Sequence, residues 1–352
     1  MSAMIYLNSL LLINWETYVP LRRTYQNLIA QTLHITTSNG RLDILVIRPP
    51  QLFCDAHHIV SELYAIADEM KAKQGRDEAE VRVLLEGVGG FSIGTAHDRS
   101  WEVVAIGKND RKLLPVFVSE NQSSVFSPAL PIVILPGGSD ASGSLSSAEE
   151  SNDEDLETVI SDLGDTGILA DSDSEDHGRI EDEGLEAEYE IVALGGTFDH
   201  LHTGHKILLT MAGFLAHGSL VIGVTGDTLL QNKKYKEYLQ PLTDRCAAVL
   251  EFVGYIFPGL HATTHEINDV YGQAVTIEAI EALVVSGETK AGAKMVNDER
   301  KRRGFAKLKV WVIGVVNGDA SNGWAGKLSS TDLRKRDYER AQEAKKSQSG
   351  DS

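Results

Sequence analysis

The sequence predicts a doubly wound α/β fold with a five-stranded parallel sheet over residues 188–345, and three features point to it. Short, near-continuous apolar runs such as Leu220-Val221-Ile222-Gly223-Val224 and Ala282-Leu283-Val284-Val285-Ser286 suit strands covered on both faces. These runs alternate with stretches of helical periodicity, and right-handed crossovers then build a sheet with helices on either side. The first run, from Tyr189 to Leu194, ends at Gly195-Gly196 and continues to His202-Thr203-Gly204-His205, where a helical pattern begins. Ligands in such sheets bind beyond the carboxyl ends of the strands, where strand order reverses.

The expected strands of this region are Glu190–Leu194, Ser219–Thr225, Ala262–Ile267, Ala282–Ser286 and Lys309–Val316. Between them the periodicity predicts helices near His205–His217, Thr243–Phe257, Gln273–Ile280 and Lys290–Arg303.

Residues 1–136 read as a separate α/β region. Arg41–Pro49, Glu80–Leu85, Trp101–Ile106 and Leu114–Phe117 have strand character, and Cys54–Lys73 has helical periodicity ending in a basic turn. The opening apolar run has no basic leader and no small-residue cleavage site, so a buried strand or helix is expected there. His57 and His58 are adjacent, point about 100° apart on a helix, and are expected at the surface. Gly87-Val88-Gly89-Gly90 lacks the Lys-Ser/Thr ending of a phosphate loop and reads as a turn. Cys54 and Cys246 fit no metal spacing and are expected as two buried thiols in a reducing compartment.

The net charge of −18 is local. Between Asp140 and Glu188 there are 18 acidic residues and one arginine, a net of −17, which leaves −1 for the rest of the chain. Residues 137–187, rich in Ser, Asp, Glu and Gly, cannot bury enough apolar surface to offset the entropy of ordering, and a disordered acidic linker is expected. A nucleic-acid partner would want a basic surface, so none is expected. No run approaches membrane-spanning length, so no membrane partner is expected either, and a soluble cytoplasmic or nuclear protein follows.

The chemistry concentrates after the first strand of the second region. His202 and His205 sit three residues apart at a helix start, near one face, and Gly204 lets a phosphate approach the backbone. Unpaired N–H groups and the positive end of the helix dipole make such a junction a phosphate seat. Capping with simple packing, and metal ligation, are the other readings of these two imidazoles. Near the end of the chain, Lys327-Leu328-Ser329-Ser330-Thr331-Asp332-Leu333-Arg334 places hydroxyls at another helix start with a fork-shaped guanidinium behind them. Read alone, that stretch is more readily an ordinary Ser-Thr helix cap followed by a charged helix.

Together the two stretches resemble known signatures. Gly-Gly-Thr-Phe-Asp-x-x-His-x-Gly-His and Ser-Ser-Thr-x-x-Arg resemble the motifs of the nucleotidyltransferase superfamily, whose fold is Rossmann-like. Asn232-Lys233-Lys234-Tyr235-Lys236, Pro241, Arg245, Val285-Ser286-Gly287-Glu288-Thr289, Gly292, Asn297 and Gly304 resemble the eukaryotic and archaeal type of phosphopantetheine adenylyltransferase, over residues 189–340. Bacterial members carry an arginine-rich run where this chain has Ser286–Thr289.

The resemblance implies roles. Thr197 would bind the phosphate of 4′-phosphopantetheine, and Gly196, Thr197 and Phe198 would border ATP. His202 and His205 would line the triphosphate, with His205 nearest the transferring phosphoryl group. A lysine after the second strand would neutralise charge; archaeal-type spacing back from Arg245 selects Lys233 and bacterial spacing selects Lys236, and Lys233 is preferred. Glu288 would lie near the adenosine, and Ser329, Ser330, Thr331 and Arg334 near the β- and γ-phosphates. Mg²⁺ would be bound through the ATP phosphates with no protein side chain as ligand.

The reaction so implied joins ATP and 4′-phosphopantetheine to give dephospho-coenzyme A and pyrophosphate. Its rivals are another nucleotidyltransferase, for cytidylyl transfer or nicotinamide mononucleotide adenylylation, and a non-catalytic scaffold that keeps the fold. No Gly-x-x-x-x-Gly-Lys-Ser/Thr occurs, so the next phosphorylation of the coenzyme A pathway is expected from another enzyme, a candidate partner.

Overall fold

A computed structural model of the chain describes residues 5–15, 21–93, 99–113, 130–136, 167–168, 189–314 and 329–349. The chain divides into two compact units, Met1–Gly164 and Asp165–Ser352.

In the first unit, strands β1 (Tyr6–Asn14), β2 (Thr36–Ile47), β3 (Glu80–Leu85), β4 (Val103–Gly107) and β5 (Ile132–Leu135) form a sheet in the order β3-β2-β1-β4-β5. Every pairing in it is parallel. Helix α1 (Leu21–Ile35) joins β1 to β2, and α2 (Phe53–Gln74) joins β2 to β3. Helix α1 is absent from the elements read off the sequence; it buries Tyr25, Leu28, Ile29, Thr32 and Leu33, a stripe at helical spacing. The strand expected at Leu114–Phe117 lies outside the described residues, as do all but two residues of the expected linker.

His57 corrects an expectation. Only His58 is exposed; His57 is buried, its ring parallel to that of Phe53 with centroids 6.3 Å apart, because α2 is covered around most of its circumference. Cys54 and Cys246, expected as buried, are each only half-buried, and neither is in a disulfide.

The second unit holds β6 (Gly167–Ile168), β7 (Tyr189–Gly196), β8 (Ala216–Thr225), β9 (His261–Ile267), β10 (Ala282–Ser286) and β11 (Lys309–Ile313), in the order β6-β11-β10-β7-β8-β9. The five long strands are mutually parallel, as expected. The two-residue β6, from the segment read as linker, pairs antiparallel with β11 at the edge. Helices α3 (Thr203–Leu215), α4 (Leu242–Ile256), α5 (Lys290–Arg303) and α6 (Ser330–Ser349) follow β7, β8, β10 and β11. Taken from the first long strand of each unit, both sheets have the same order: two strands to one side, then two to the other. Order therefore reverses in the second unit between β7 and β10.

The helix expected at Gln273–Ile280 is instead a short 3₁₀ turn, Gly272–Val275. The carbonyls of Ala274, Ile277, Glu278 and Ile280 all accept hydrogen bonds from the Arg300 guanidinium. An α-helix over these residues would have committed the Ala274 oxygen to the Glu278 amide, while its last four carbonyls would still have needed outside donors. His217, expected at the end of a helix, stands in β8. Among the described residues no helix is long and apolar enough to cross a membrane.

Candidate active site

The site is built where β7 and β10 end. Leu194 is level with Val284 in their parallel register, so Gly196 and Ser286 mark one rim. Beyond Gly196 the chain turns sharply, with φ of +50° at Phe198 and +45° at His200. Left-handed geometry at two non-glycine residues is strained and persists only where the surroundings over-determine it. Here they do. The Phe198 ring is fully buried, and a Cβ on Gly196 would lie 3.0 Å from it, so the strand must end in glycine for the ring to fold underneath.

His202 caps α3: its Nδ1 accepts the Gly204 amide at 3.2 Å. This satisfies one of the orphan donors of the first turn, in the way a Ser or Asp does elsewhere. A Cβ on Gly204 would come within 3.2 Å of that imidazole. His205 stacks on His202, ring centroids 3.9 Å apart, and lies 5.2 Å from Phe198. Burial, and secondarily the His202 ring, hold its pKa well below the ordinary histidine value. The imidazole is therefore neutral at pH 7, one ring nitrogen carrying a proton it can donate. His205 Nδ1 is buried without a hydrogen-bond partner in the structure.

Two buried arginines frame the turn. Arg245 of α4 is 0% exposed and donates to the carbonyls of Thr197 (2.9 Å), Thr225 (2.7 Å) and Gln240 (3.0 Å) and to the Asp227 carboxylate (3.1 Å). It ties the ends of β7 and β8 together. Arg334 of α6 is 1% exposed; Nη1 bonds Asp199, Nη2 the Thr331 hydroxyl (3.1 Å) and Nε the Lys234 carbonyl (3.0 Å).

The other expected residues fall as follows. The backbone oxygen of half-buried Thr197 belongs to Arg245. Lys233 and Lys236 are exposed, on the loop between β8 and α4. Glu288 is exposed in the 3₁₀ turn Gly287–Thr289, opened by a Ser286–Thr289 capping box. Ser329 caps α6, its hydroxyl donating to Asp332 (2.7 Å) while the Asp332 amide donates back (3.3 Å). The Ser329 hydroxyl, and the Ser329 amide that donates to the same carboxylate at 3.0 Å, hold the Asp332 carboxyl below its usual pKa. Ser330 and Thr331 occupy the first turn, where amides lack helical acceptors. The Arg334–Asp199 and Arg334–Lys234 bonds bring this end of α6 to the turn after β7 and to the lysine loop.

Asp199, His200 and Gln240 were not singled out from the sequence. Asp199 stands inside the quoted motif, and only its complete burial and its partner 135 residues away reveal its part.

A family model described as cytidylyltransferase-like matches residues 193–336. A phosphopantetheine adenylyltransferase of Pyrobaculum aerophilum is 38% identical over 145 residues, 41% of this chain and 89% of that protein. The chain belongs to the phosphopantetheine adenylyltransferase family. A relative of the same name from Methanothermobacter thermautotrophicus is 38% identical over 135 residues, 38% of this chain and 79% of that protein. The phosphopantetheine adenylyltransferase of Saccharomyces cerevisiae is 45% identical over 147 residues, 42% of this chain. That match spans about half, 48%, of the yeast relative. The likeness lies in the second unit, where the turn after β7, the lysine loop and the start of α6 meet.

Proposed function

We propose that this chain transfers the adenylyl group of ATP to 4′-phosphopantetheine, giving dephospho-coenzyme A and pyrophosphate. The observation that carries it is the stacked His202–His205 pair at the N-terminus of α3, beside the point where strand order reverses, in a chain that covers 89% of an archaeal relative bearing that name. The acceptor's own phosphate oxygen attacks the α-phosphorus of ATP. The new P–O bond forms as the bond to the pyrophosphate oxygen breaks, so no side chain need act as nucleophile. Catalysis is then positioning plus stabilisation of charge growing on the phosphoryl oxygens.

In this reading His205 donates a neutral N–H to the α-phosphoryl group and His202 orders the same turn. Gly196, Thr197 and Phe198 border the phosphates, with Thr197 toward the acceptor. Lys233 supplies positive charge, with Lys236 beside it, and Glu288 lies near the nucleoside. Ser329, Ser330 and Thr331 receive the β- and γ-phosphates at the start of α6. Among the described residues no group of three His, Cys, Asp or Glu side chains could hold a metal ion. Mg²⁺ enters the proposal only as a companion of the ATP phosphates, and no step is assigned to it. Two cysteines outside any disulfide suit a reducing compartment, cytoplasmic or nuclear. Enzymes that make 4′-phosphopantetheine or phosphorylate dephospho-coenzyme A are the partners this role would have.

The family model's description favours one second reading, transfer from CTP. The full chain incubated with ATP or CTP, and with 4′-phosphopantetheine or nicotinamide mononucleotide, settles the matter by pyrophosphate release and product mass. Dephospho-coenzyme A from ATP is the expected product; turnover with CTP alone overturns the proposal.

A further inference from the structure

Three parts of the second unit meet at His200. Its backbone, with φ of +45°, belongs to the turn after β7. Its amide donates to Gln240 Oε1 at 2.6 Å, and its ring Nε2 lies 3.1 Å from the carbonyl oxygen of Tyr238, so two bonds run to the end of the lysine loop. The same Nε2 lies 3.6 Å from a carboxylate oxygen of Asp337, on α6, and 3.7 Å from one of Asp199. A carbonyl and two carboxylates only accept, so Nε2 carries a proton and donates it to Tyr238. The side chain is 18% exposed, which leaves water little access to that bond. Lys233, Lys234 and Lys236 are themselves exposed, and the last of them opens the 3₁₀ turn Lys236–Tyr238. Tyr338, next to Asp337 on α6, packs on Tyr235 and Tyr238 with ring centroids 5.4 and 6.0 Å away.

We propose that His200 is a positioning residue for the transfer: its Nε2–H ties the Tyr238 carbonyl, and with it the lysine loop, to the turn that carries His202 and His205, while Asp337 steers the imidazole from α6. The inference rests on the adenylyl-transfer reading and adds a residue to it. Chain distance carries much of the argument. His200 is two residues from His202, and Tyr238 is two from Lys236 and five from Lys233. A bond between 200 and 238 therefore sets how far the lysines stand from the histidine pair, although neither His200 nor Tyr238 need touch a substrate. The left-handed backbone of His200 points the same way, since such strain persists only where the surroundings over-determine it, and here an amide bond and a ring bond from one residue do so. Lysines lose rotamer and backbone freedom when they meet a phosphate, and a loop tied beforehand has less to lose.

The test compares the full chain carrying His200→Gln, His200→Asn or His200→Leu. A Gln side chain can place its amide nitrogen where the imidazole Nε2 stands. Asn accepts a left-handed backbone readily but is too short to reach Tyr238, and Leu has bulk without a donor. The readouts are kcat, KM for ATP and for 4′-phosphopantetheine, and hydrogen–deuterium exchange of amides 231–240. His200→Leu and His200→Asn should each lower kcat by about tenfold or more, as misplacement of a charged group does, with KM for ATP changed less than about threefold. Their loop amides should exchange faster while those of β7 and β8 do not. His200→Gln should keep kcat within about threefold of wild type and the loop exchange of wild type. Unchanged loop exchange in His200→Leu, or a His200→Gln variant as slow as His200→Leu, would overturn the proposal. So would a lower melting temperature in His200→Leu with wild-type kcat at a temperature where it is folded, the mark of a purely structural role. Should His200→Leu fail to fold, the contrast between Asn and Gln decides by the same readouts. If wild-type protein makes no dephospho-coenzyme A, the adenylyl-transfer reading falls, while loop exchange in the three variants still judges the tie between His200 and Tyr238.

Discussion

The His202 and His205 rings lie 3.9 Å apart with 28° between their planes, one capping the helix and the other held over Phe198. The division of labour follows from that geometry. His202 spends its Nδ1 on the helix, and His205 has a buried nitrogen that the protein leaves unanswered.

Replacing His205 by Ala should lower kcat by about 10² to 10⁴, as for loss of a preorganised donor at developing charge. Thermal unfolding should change little, since the ring makes no hydrogen bond that the fold depends on. Steady-state kinetics beside a melting curve reads both, and a near wild-type kcat would reject the role.

The same burial sets a pH dependence. Burial holds His205 neutral in the folded chain, with its pKa well below the ordinary histidine value, while in the unfolded chain it titrates near that ordinary value, about 6.5. Between those two values the unfolded state binds the extra proton, so stability is complete above about pH 6.5 and declines as pH falls toward the folded value. Urea unfolding from pH 7.5 to 5 should show a flatter profile for His205→Asn than for wild type. Parallel profiles would show that another group causes any decline.

Gly196 makes a sharper steric prediction. A methyl there meets the buried Phe198 ring at 3.0 Å, so the ring, which sits under a strained turn, would have to give way. Gly196→Ala should cost about 1–3 kcal/mol by overpacking and displace the turn that carries both histidines. Denaturant midpoints and kcat should fall together. Wild-type values of both would mean that the ring moves freely.

Much of this was legible in the residues because it is local. Apolar runs fixed β7, β8, β10 and β11, since a strand buried on both faces has few alternatives. The histidine pair, Gly196 and Ser329 announce themselves through spacing at helix starts. What stayed hidden depends on distant partners. Asp199 reads as an ordinary motif residue until Arg334 arrives from 135 positions later, and Gln273–Ile280 reads as a helix until Arg300 claims its carbonyls. Helix α1 carried its pattern openly in Tyr25, Leu28, Ile29, Thr32 and Leu33, but charged and polar neighbours diluted it.

Arg245 and Arg300 should separate site geometry from stability alone. Arg245 grips the carbonyls that end β7 and β8, at the rim of the site. Arg300, also 0% exposed, grips Ala274, Ile277, Glu278, Ile280 and Ala306, which lead into the starts of β10 and β11 at the opposite end of the sheet. Either arginine replaced by Met leaves buried carbonyls without donors, each costing about 1–3 kcal/mol. Both variants should therefore melt well below wild type. Assayed at a temperature where each is still folded, Arg300→Met should retain the ATP affinity and kcat of wild type, because the crevice end of the sheet is untouched. Arg245→Met should lose kcat by about tenfold or more, since Thr197 and the lysine loop lose a shared anchor. Equal activity in the two folded variants would place the determinant of the site elsewhere than in the tie between β7 and β8.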